Sequence, residues 1–359
     1  MTTAATFQID HLQFLDAHGK VVAPLPAFAN DPAALIPLYQ AMVLMRIYDA
    51  KAIALQRTGQ IGTYASILGK EAVEAGVGAA MEKDDVLFCT YRENGVQIMR
   101  GVTMRELLLY WGGDERGSDF AGPRRDFPVC ITIASQCLHA VGVAYAIKLR
   151  RQPRVAVCMC GDGATSKGDF YEGINAAGTW RLPVVFVVTN NQWAISVPRD
   201  AQTAAQTLAQ KALAAGFEGV QVDGNDVVAV HHAMREALAK ARSGGGPTLI
   251  EAVTYRLADH TTADDASRYR PPEEVAAAWK CEPVLRLRNY LSEALAWNKA
   301  LEEELLRQCN EQVQAAAQAY LDMPPPPVEQ MFSHLYATLP AAYAAQRAAI
   351  LAAAAESTQ

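Results

Sequence analysis

The stretch RVAVCMCGDGATSKGDFYEGINAAGTWRLPVVFVVTNNQWAISVP, residues 154–198, decides the fold. Arg154 to Cys160 and Pro183 to Thr189 are short apolar runs rich in Val, the pattern of strands buried on both faces. Between them Phe170, Ile174 and Ala177 recur at helical spacing, predicting a helix over Asp169 to Thr179. Strand, helix and strand in this order predict a parallel pair joined by a crossover. Asp162, within Gly161-Asp162-Gly163, then follows the first strand, and Asn190 and Asn191 end the second. The 26 residues 164–189 between Gly163 and Asn190 accommodate one helix and one strand. Two neighbouring strand ends therefore present a carboxylate and a carboxamide side by side, at the carboxyl edge where open α/β sheets bind ligands. Both are hard oxygen donors suited to Mg²⁺, and the flanking glycines let a backbone approach a phosphate closely.

Outward from this unit, Thr248 to Thr254 reads as another buried strand. Helical periodicity covers Ala33 to Thr58, Gly69 to Met81, Met104 to Gly112, Gln136 to Arg150, Ala201 to Ala215 and Val227 to Ser243, the last closed by Gly244-Gly245-Gly246-Pro247. The expected fold class is α/β, a mostly parallel sheet covered by helices. After Arg270 the pattern changes to long helices, Glu273 to Trp297 and Lys299 to Leu321, followed by Pro324 to Pro327 and an Ala-rich tail. The expected organisation is an N-terminal extension (1–35), an α/β domain (36–270) and a C-terminal helical region with a partner-docking tail (271–359). Phe332, Leu335, Tyr336, Leu339 and Tyr343 in that tail suit either a partner or the chain's own core.

Composition narrows the function. Of 359 residues, 38 are acidic and 32 basic, and no basic face offsets that balance, which disfavours nucleic acid. The cluster Lys148, Arg150, Arg151 and Arg154 reads as a helix end. Residues 1–30 carry neither a secretory apolar region nor an Arg/Ser-rich transit pattern, no window reaches the ~18 apolar residues of a membrane helix, and the seven cysteines are odd in number. A cytoplasmic protein with reduced thiols is expected, free of membrane. Cys158 and Cys160 lie two apart in a strand without a second His/Cys pair, so they read as core thiols.

The Gly-Asp-Gly to Asn-Asn spacing resembles the signature of thiamine diphosphate enzymes. With GDFYEGIN, NNQWAIS and HTTADDASRYR, the region from Ile36 to Arg270 looks closely like alpha subunits of the thiamine-diphosphate-dependent component of 2-oxo acid dehydrogenase complexes, bacterial pyruvate dehydrogenases above all. The resemblance implies a thiamine-diphosphate-binding fold. It also implies Mg²⁺ held by Asp162, the Asn191 side chain and the Trp193 carbonyl. Tyr91 and Arg92, in CTYRENG, would hold the diphosphate, with Gly163 and Ala164 adding backbone N–H groups. Ile131 and Ile133, in CITIASQ, match positions around the aminopyrimidine, and Ile133 the residue that bends the cofactor. His260, in LADHTTADD, matches a histidine near the diphosphate and the reacting carbon, implicated in acyl transfer; imidazole can hold or shuttle a proton near neutrality.

The implied reaction is oxidative decarboxylation of a 2-oxo acid with reductive acylation of a lipoyl group on the acyltransferase component. Pyruvate is the expected substrate, with branched-chain 2-oxo acids or acetoin as alternatives and a non-catalytic thiamine-binding regulator more distant. The chain has no second α/β unit to supply the glutamate that activates the pyrimidine, so the resemblance implies a beta subunit and an α2β2 assembly. Thr261 and Pro271 occupy positions phosphorylated in mitochondrial relatives, Cys130 replaces a serine of a potassium site, and Thr189 stands where branched-chain relatives hold a phosphate-binding arginine. Other classes fit poorly. No GxGxxG opens a strand–helix unit, and GTYASILGKE has six residues between Gly62 and Gly69 and Glu71 where a P-loop needs Ser or Thr.

Overall fold

A computed structural model describes residues 2–333 and 335–356. Strands β1 (Asp10–Leu12), β2 (Val86–Phe88), β3 (Ala156–Gly161), β4 (Val184–Asn190), β7 (Glu218–Asp223) and β8 (Thr248–Val253) form one six-stranded sheet in the order β1-β7-β8-β4-β3-β2, while β5 (Trp193–Ala194) and β6 (Val197–Pro198) form a small antiparallel hairpin. Every pairing in the large sheet is parallel. This is the expected α/β class, with helices on both faces.

Alternation along β3 divides the core. Val157 and Met159 face a cluster formed with α1 (Ile36–Arg57) and α2 (Glu71–Ala80). Ala156, Cys158 and Cys160 face the other side, against residues of α5 (Ser135–Leu149) and α6 (Gly168–Thr179). The short helices α3 (Asn94–Arg100) and α4 (Met104–Trp111) follow β2. Helix α9 (Val227–Arg242) packs against α2 where Gly76 admits it, since a Cβ there would lie 2.6 Å from Val230 Cγ1.

Two expected helices are corrected. Ala201 to Ala215 contains only the single turns α7 (Arg199–Gln202) and α8 (Lys211–Ala214). The intervening backbone turns aside because Leu208 and Ala209 N–H groups donate to the buried Glu251 carboxylate of β8 (2.8 and 3.0 Å). Glu273 to Trp297 is two helices, α10 (Pro272–Trp279) and α11 (Pro283–Leu295), because Pro283 begins the second and Glu282 caps it through the Val284 and Leu285 amides. Three strands of the large sheet and the β5–β6 hairpin were not anticipated: β1 and β2 have three residues each, β5 and β6 two each, and β7 mixes polar with apolar positions.

Met1–Ala317 makes one compact unit and Gln318–Gln359 another. Residues 1–35 supply β1 to the sheet, and Leu287 and Leu291 of α11 with Leu305 and Cys309 of α12 (Lys299–Leu321) join the core that contains α1. Within the second unit, Met331, Phe332, Leu335, Tyr336, Leu339 and Tyr343 line a small cavity, near helix α13 (Ala344–Glu356). Among the described residues no helix is long and apolar enough to cross a membrane.

The N-terminal strand is anchored by one buried carboxylate. Asp226 caps α9 through the Val228 amide (3.0 Å) and accepts the Phe14 and Leu15 amides (2.7 and 2.8 Å). Asp226→Ala strands these donors and is expected to lower unfolding stability by roughly 2–4 kcal/mol, with faster proteolysis before residue 25; a urea titration of both chains that gives equal midpoints contradicts this anchor.

Candidate functional site

The site begins with register. Gly161 pairs with Thr189, so β3 and β4 end at one level and release Asp162 and Asn191 from neighbouring strands. A cavity of roughly 250 Å³ opens there. Tyr91, Arg92, Ile133, Asp162, Gly163, Ala164, Asn191, Trp193 and His260 all line it, as do Lys70, Glu93, Gln136 and Thr189. Ile131 does not; it is 65% exposed.

Positive φ at Gln192 (72°) and Ile195 (55°) folds the chain sharply after β4. The turn is held by the Asn191 side-chain oxygen, which accepts the Trp193 amide (3.2 Å), and by Arg256, whose Nη1 donates to the Trp193 carbonyl (3.2 Å) and Nη2 to that of Ile195 (2.8 Å). The Asp162 carboxylate accepts from Gln202 Nε2 (2.7 Å), and burial pushes its pKa above the ordinary range, opposed by that hydrogen bond and by Arg256. Asn190 serves the sheet instead of the cavity, because its side-chain amide donates to Glu251 (2.7 Å) and ties β4 to β8. Gly163 is required by space, because a Cβ would lie 2.6 Å from that of Ala194.

Across the cavity Arg92 donates to the carbonyls of Ser66 (2.5 Å) and His260 (2.7 Å) and approaches His260 Nδ1 (3.2 Å). The Ser66 segment is itself fixed by buried Asp49, which accepts from Tyr64 Oη, Ser66 Oγ and the Ile67 amide. His260 is held by its amide, bonded to Asp264 (2.8 Å), and its Nε2 lies 3.4 Å from Tyr91 Oη. Burial, then Arg92 and Arg256, push the imidazole down to about 4, so it is neutral near pH 7. With arginine donors at Nδ1, the ring proton is assigned to Nε2, toward Tyr91.

Sequence reasoning missed Arg256, Lys70 and Glu93 as residues of the site. Arg256 stands four residues before His260 in the same polar segment, and Glu93 follows Arg92 within CTYRENG, signals that were available; Lys70 depends on packing between distant segments.

Among known proteins, a family model described as "Dehydrogenase E1 component" matches residues 39–329. The 3-methyl-2-oxobutanoate dehydrogenase subunit alpha of Mycobacterium tuberculosis is 42% identical over 310 residues, covering 86% of this chain and 84% of that protein. Pyruvate dehydrogenase E1 component subunit alpha of Mycoplasma genitalium is 38% identical over 327 residues (91% of each chain), and that of Staphylococcus aureus 41% over 312 residues (86% of this chain, 84% of that protein).

Two outcomes test the geometry. Gly163→Ala is expected to push the Trp193–Ala194 strand away and speed hydrogen exchange of the amides that bind it, whereas Gly168→Ala, with nothing within 4 Å of its Cβ, leaves exchange unchanged; matching exchange rates in the two variants refute the close approach. His260 is protonated more readily unfolded than folded, so its contribution to stability is full above about pH 6.5 and declines as pH falls toward its folded value. His260→Gln should therefore flatten the loss of stability over that window in urea titrations, and an unaltered slope would show that the imidazole does not titrate as described.

Proposed function

Because this chain belongs to the dehydrogenase E1 component family, we propose that it is the alpha subunit of a pyruvate dehydrogenase, acting on a 2-oxo acid with thiamine diphosphate and Mg²⁺. The observation that carries this reading is the convergence of Asp162, Asn191, the Trp193 carbonyl, Arg92 and His260 on one cavity. Family membership implies dependence on thiamine diphosphate.

The residues present fit the cofactor. Arg92, in the cavity wall, is buried, yet among the described residues it hydrogen-bonds no carboxylate, so an entering diphosphate would supply it a directly bonded counter-charge. Gln136 Oε1 and Thr189 Oγ1, both in the cavity wall, are buried and unpartnered. Among the described residues no group of three His, Cys, Asp or Glu side chains could hold a metal. A single carboxylate with a carboxamide and a carbonyl is instead the donor set of a Mg²⁺ ion that shares phosphate oxygens.

Thiamine diphosphate, when bound, supplies the electron sink for decarboxylation. This chain's residues do the rest of the positioning. Arg92 and Tyr91 would grip the diphosphate with the Gly163 and Ala164 amides, and Asp162, Asn191 and the Trp193 carbonyl would take the metal. Ile133 would support the organic part from the cavity wall; Ile131, outside that wall, would act only through its backbone. Neutral His260 would hold a proton at Nε2 for an oxygen at the reacting centre and stand where acyl transfer to lipoyl occurs. A beta subunit completes the site in an α2β2 assembly, and the lipoyl domain of the acyltransferase component is the second partner.

A branched-chain substrate is the second reading, favoured by the M. tuberculosis relative. The assembled enzyme, given thiamine diphosphate and Mg²⁺, is expected to reduce an artificial acceptor fastest with pyruvate when 3-methyl-2-oxobutanoate and acetoin are run alongside. Asp162→Ala should weaken Mg²⁺-dependent cofactor binding by about a hundredfold or more. A preference for 3-methyl-2-oxobutanoate would transfer the assignment to the branched-chain reading, and wild-type affinity in Asp162→Ala would remove the metal assignment.

A further inference from the structure

Lys70, Glu74 and Glu93 form a buried ionic cluster against the cofactor cavity, and the site chemistry described above does not use it. Lys70 precedes α2, and its Nζ lies 2.9 Å from Glu74 and in direct contact with Glu93. It also approaches the Arg92 carbonyl (3.4 Å). The second oxygen of Glu93 accepts from the Thr90 hydroxyl (2.6 Å) and amide, while that hydroxyl accepts the Arg92 amide (3.2 Å). Residues 90–93 are thus closed into a turn with Tyr91 and Arg92 at its crest. Glu74 does something different: it accepts the Val96 amide (2.7 Å) and holds the start of α3.

Whether or not Glu74 carries a proton, the cluster of two carboxyls and one ammonium has no net positive charge to offer an anion in the cavity. Attraction of that anion therefore does not account for Glu93, whereas shaping the turn does. We propose that the Lys70–Glu93 ion pair is a positioning element that fixes the Thr90–Glu93 turn so that Tyr91 and Arg92 meet the diphosphate. The inference rests on the proposed function, since it concerns the same cofactor. Against the opposing effect of burial, Lys70 and the Thr90 donors hold the Glu93 carboxyl below the ordinary range, while burial raises Glu74 to about 7.

This asymmetry provides the test. Glu93→Gln and Glu74→Gln each leave one carboxylate against Lys70 and preserve side-chain size, but only the first breaks the link to the turn. In the assembled enzyme, thiamine diphosphate binding with Mg²⁺ is read from quenching of tryptophan fluorescence, Trp193 being in the cavity wall. Glu93→Gln is expected to weaken binding about ten- to a hundredfold, with kcat at saturating cofactor much less affected, and Glu74→Gln to weaken it far less, because its carboxyl holds the start of α3 and not the turn. Thr90→Val, which leaves every charge in place, should weaken binding several-fold and serves if Glu93→Gln does not assemble. Equal losses in the two glutamine variants, or wild-type affinity in Thr90→Val, overturn the inference alone by reducing the pair to charge balance in the core. A wild-type enzyme that binds no thiamine diphosphate overturns the proposed function and this inference together.

Discussion

The pairing of β3 with β4 is the constraint on which the site depends. Because the strands are parallel, hydrogen-bonded along their length and matched at Gly161 and Thr189, two residues 29 positions apart emerge at the same edge of the sheet. A slip of one residue would turn Asp162 toward the opposite side and exchange the two core faces of β3. The burial of Val157 and Met159 on one face and of Cys158 and Cys160 on the other opposes that slip, so the hydrophobic layers specify the polar geometry above them.

At this edge and behind it, buried arginines are held by carbonyl oxygens, Arg92 in the cavity wall itself. Arg92 is fixed by Ser66 and His260, Arg256 by Trp193 and Ile195, and Arg270 by Arg256 and Ala258. Backbone dipoles orient a guanidinium without cancelling its charge, which leaves the field available to an anion. Burial first, and then the charges of Arg92 and Arg256, keep His260 neutral, so the enclosure that strengthens this field also sets the proton chemistry of the site.

Much of this was legible in the sequence because it is local. The run from Arg154 to Pro198 contains both strands, the crossover helix and the three expected metal donors, and its apolar runs and polar turns agree at every level. The helix expected over Ala201 to Ala215 failed because Glu251, some forty residues away, captures two of its amides. Strands β1, β2 and β7 were missed because they are short or polar and owe their conformation to neighbours in the sheet. Lys70 was visible only within a stretch whose glycine spacing excludes a P-loop; its link to Glu93 arises only when the two loops meet. Ile131 and Ile133 are indistinguishable by pattern, and only the folded chain separates the one in the cavity wall from the one outside it.

The site is thus made of two halves with very different loop lengths. Asp162 and Asn191 belong to one strand-helix-strand unit, whereas the Arg92–His260 contacts join residues 168 positions apart. Loop-closure entropy grows with the logarithm of that separation, and distant contacts wait for the intervening chain to collapse. During folding, the carboxylate and carboxamide edge can form with β3 and β4, while the arginine and histidine arrive only when α2, β8 and the loop after β8 have docked. A chain stalled midway would present oxygen donors without the cations that receive an anion, so completion of the binding site coincides with completion of the fold.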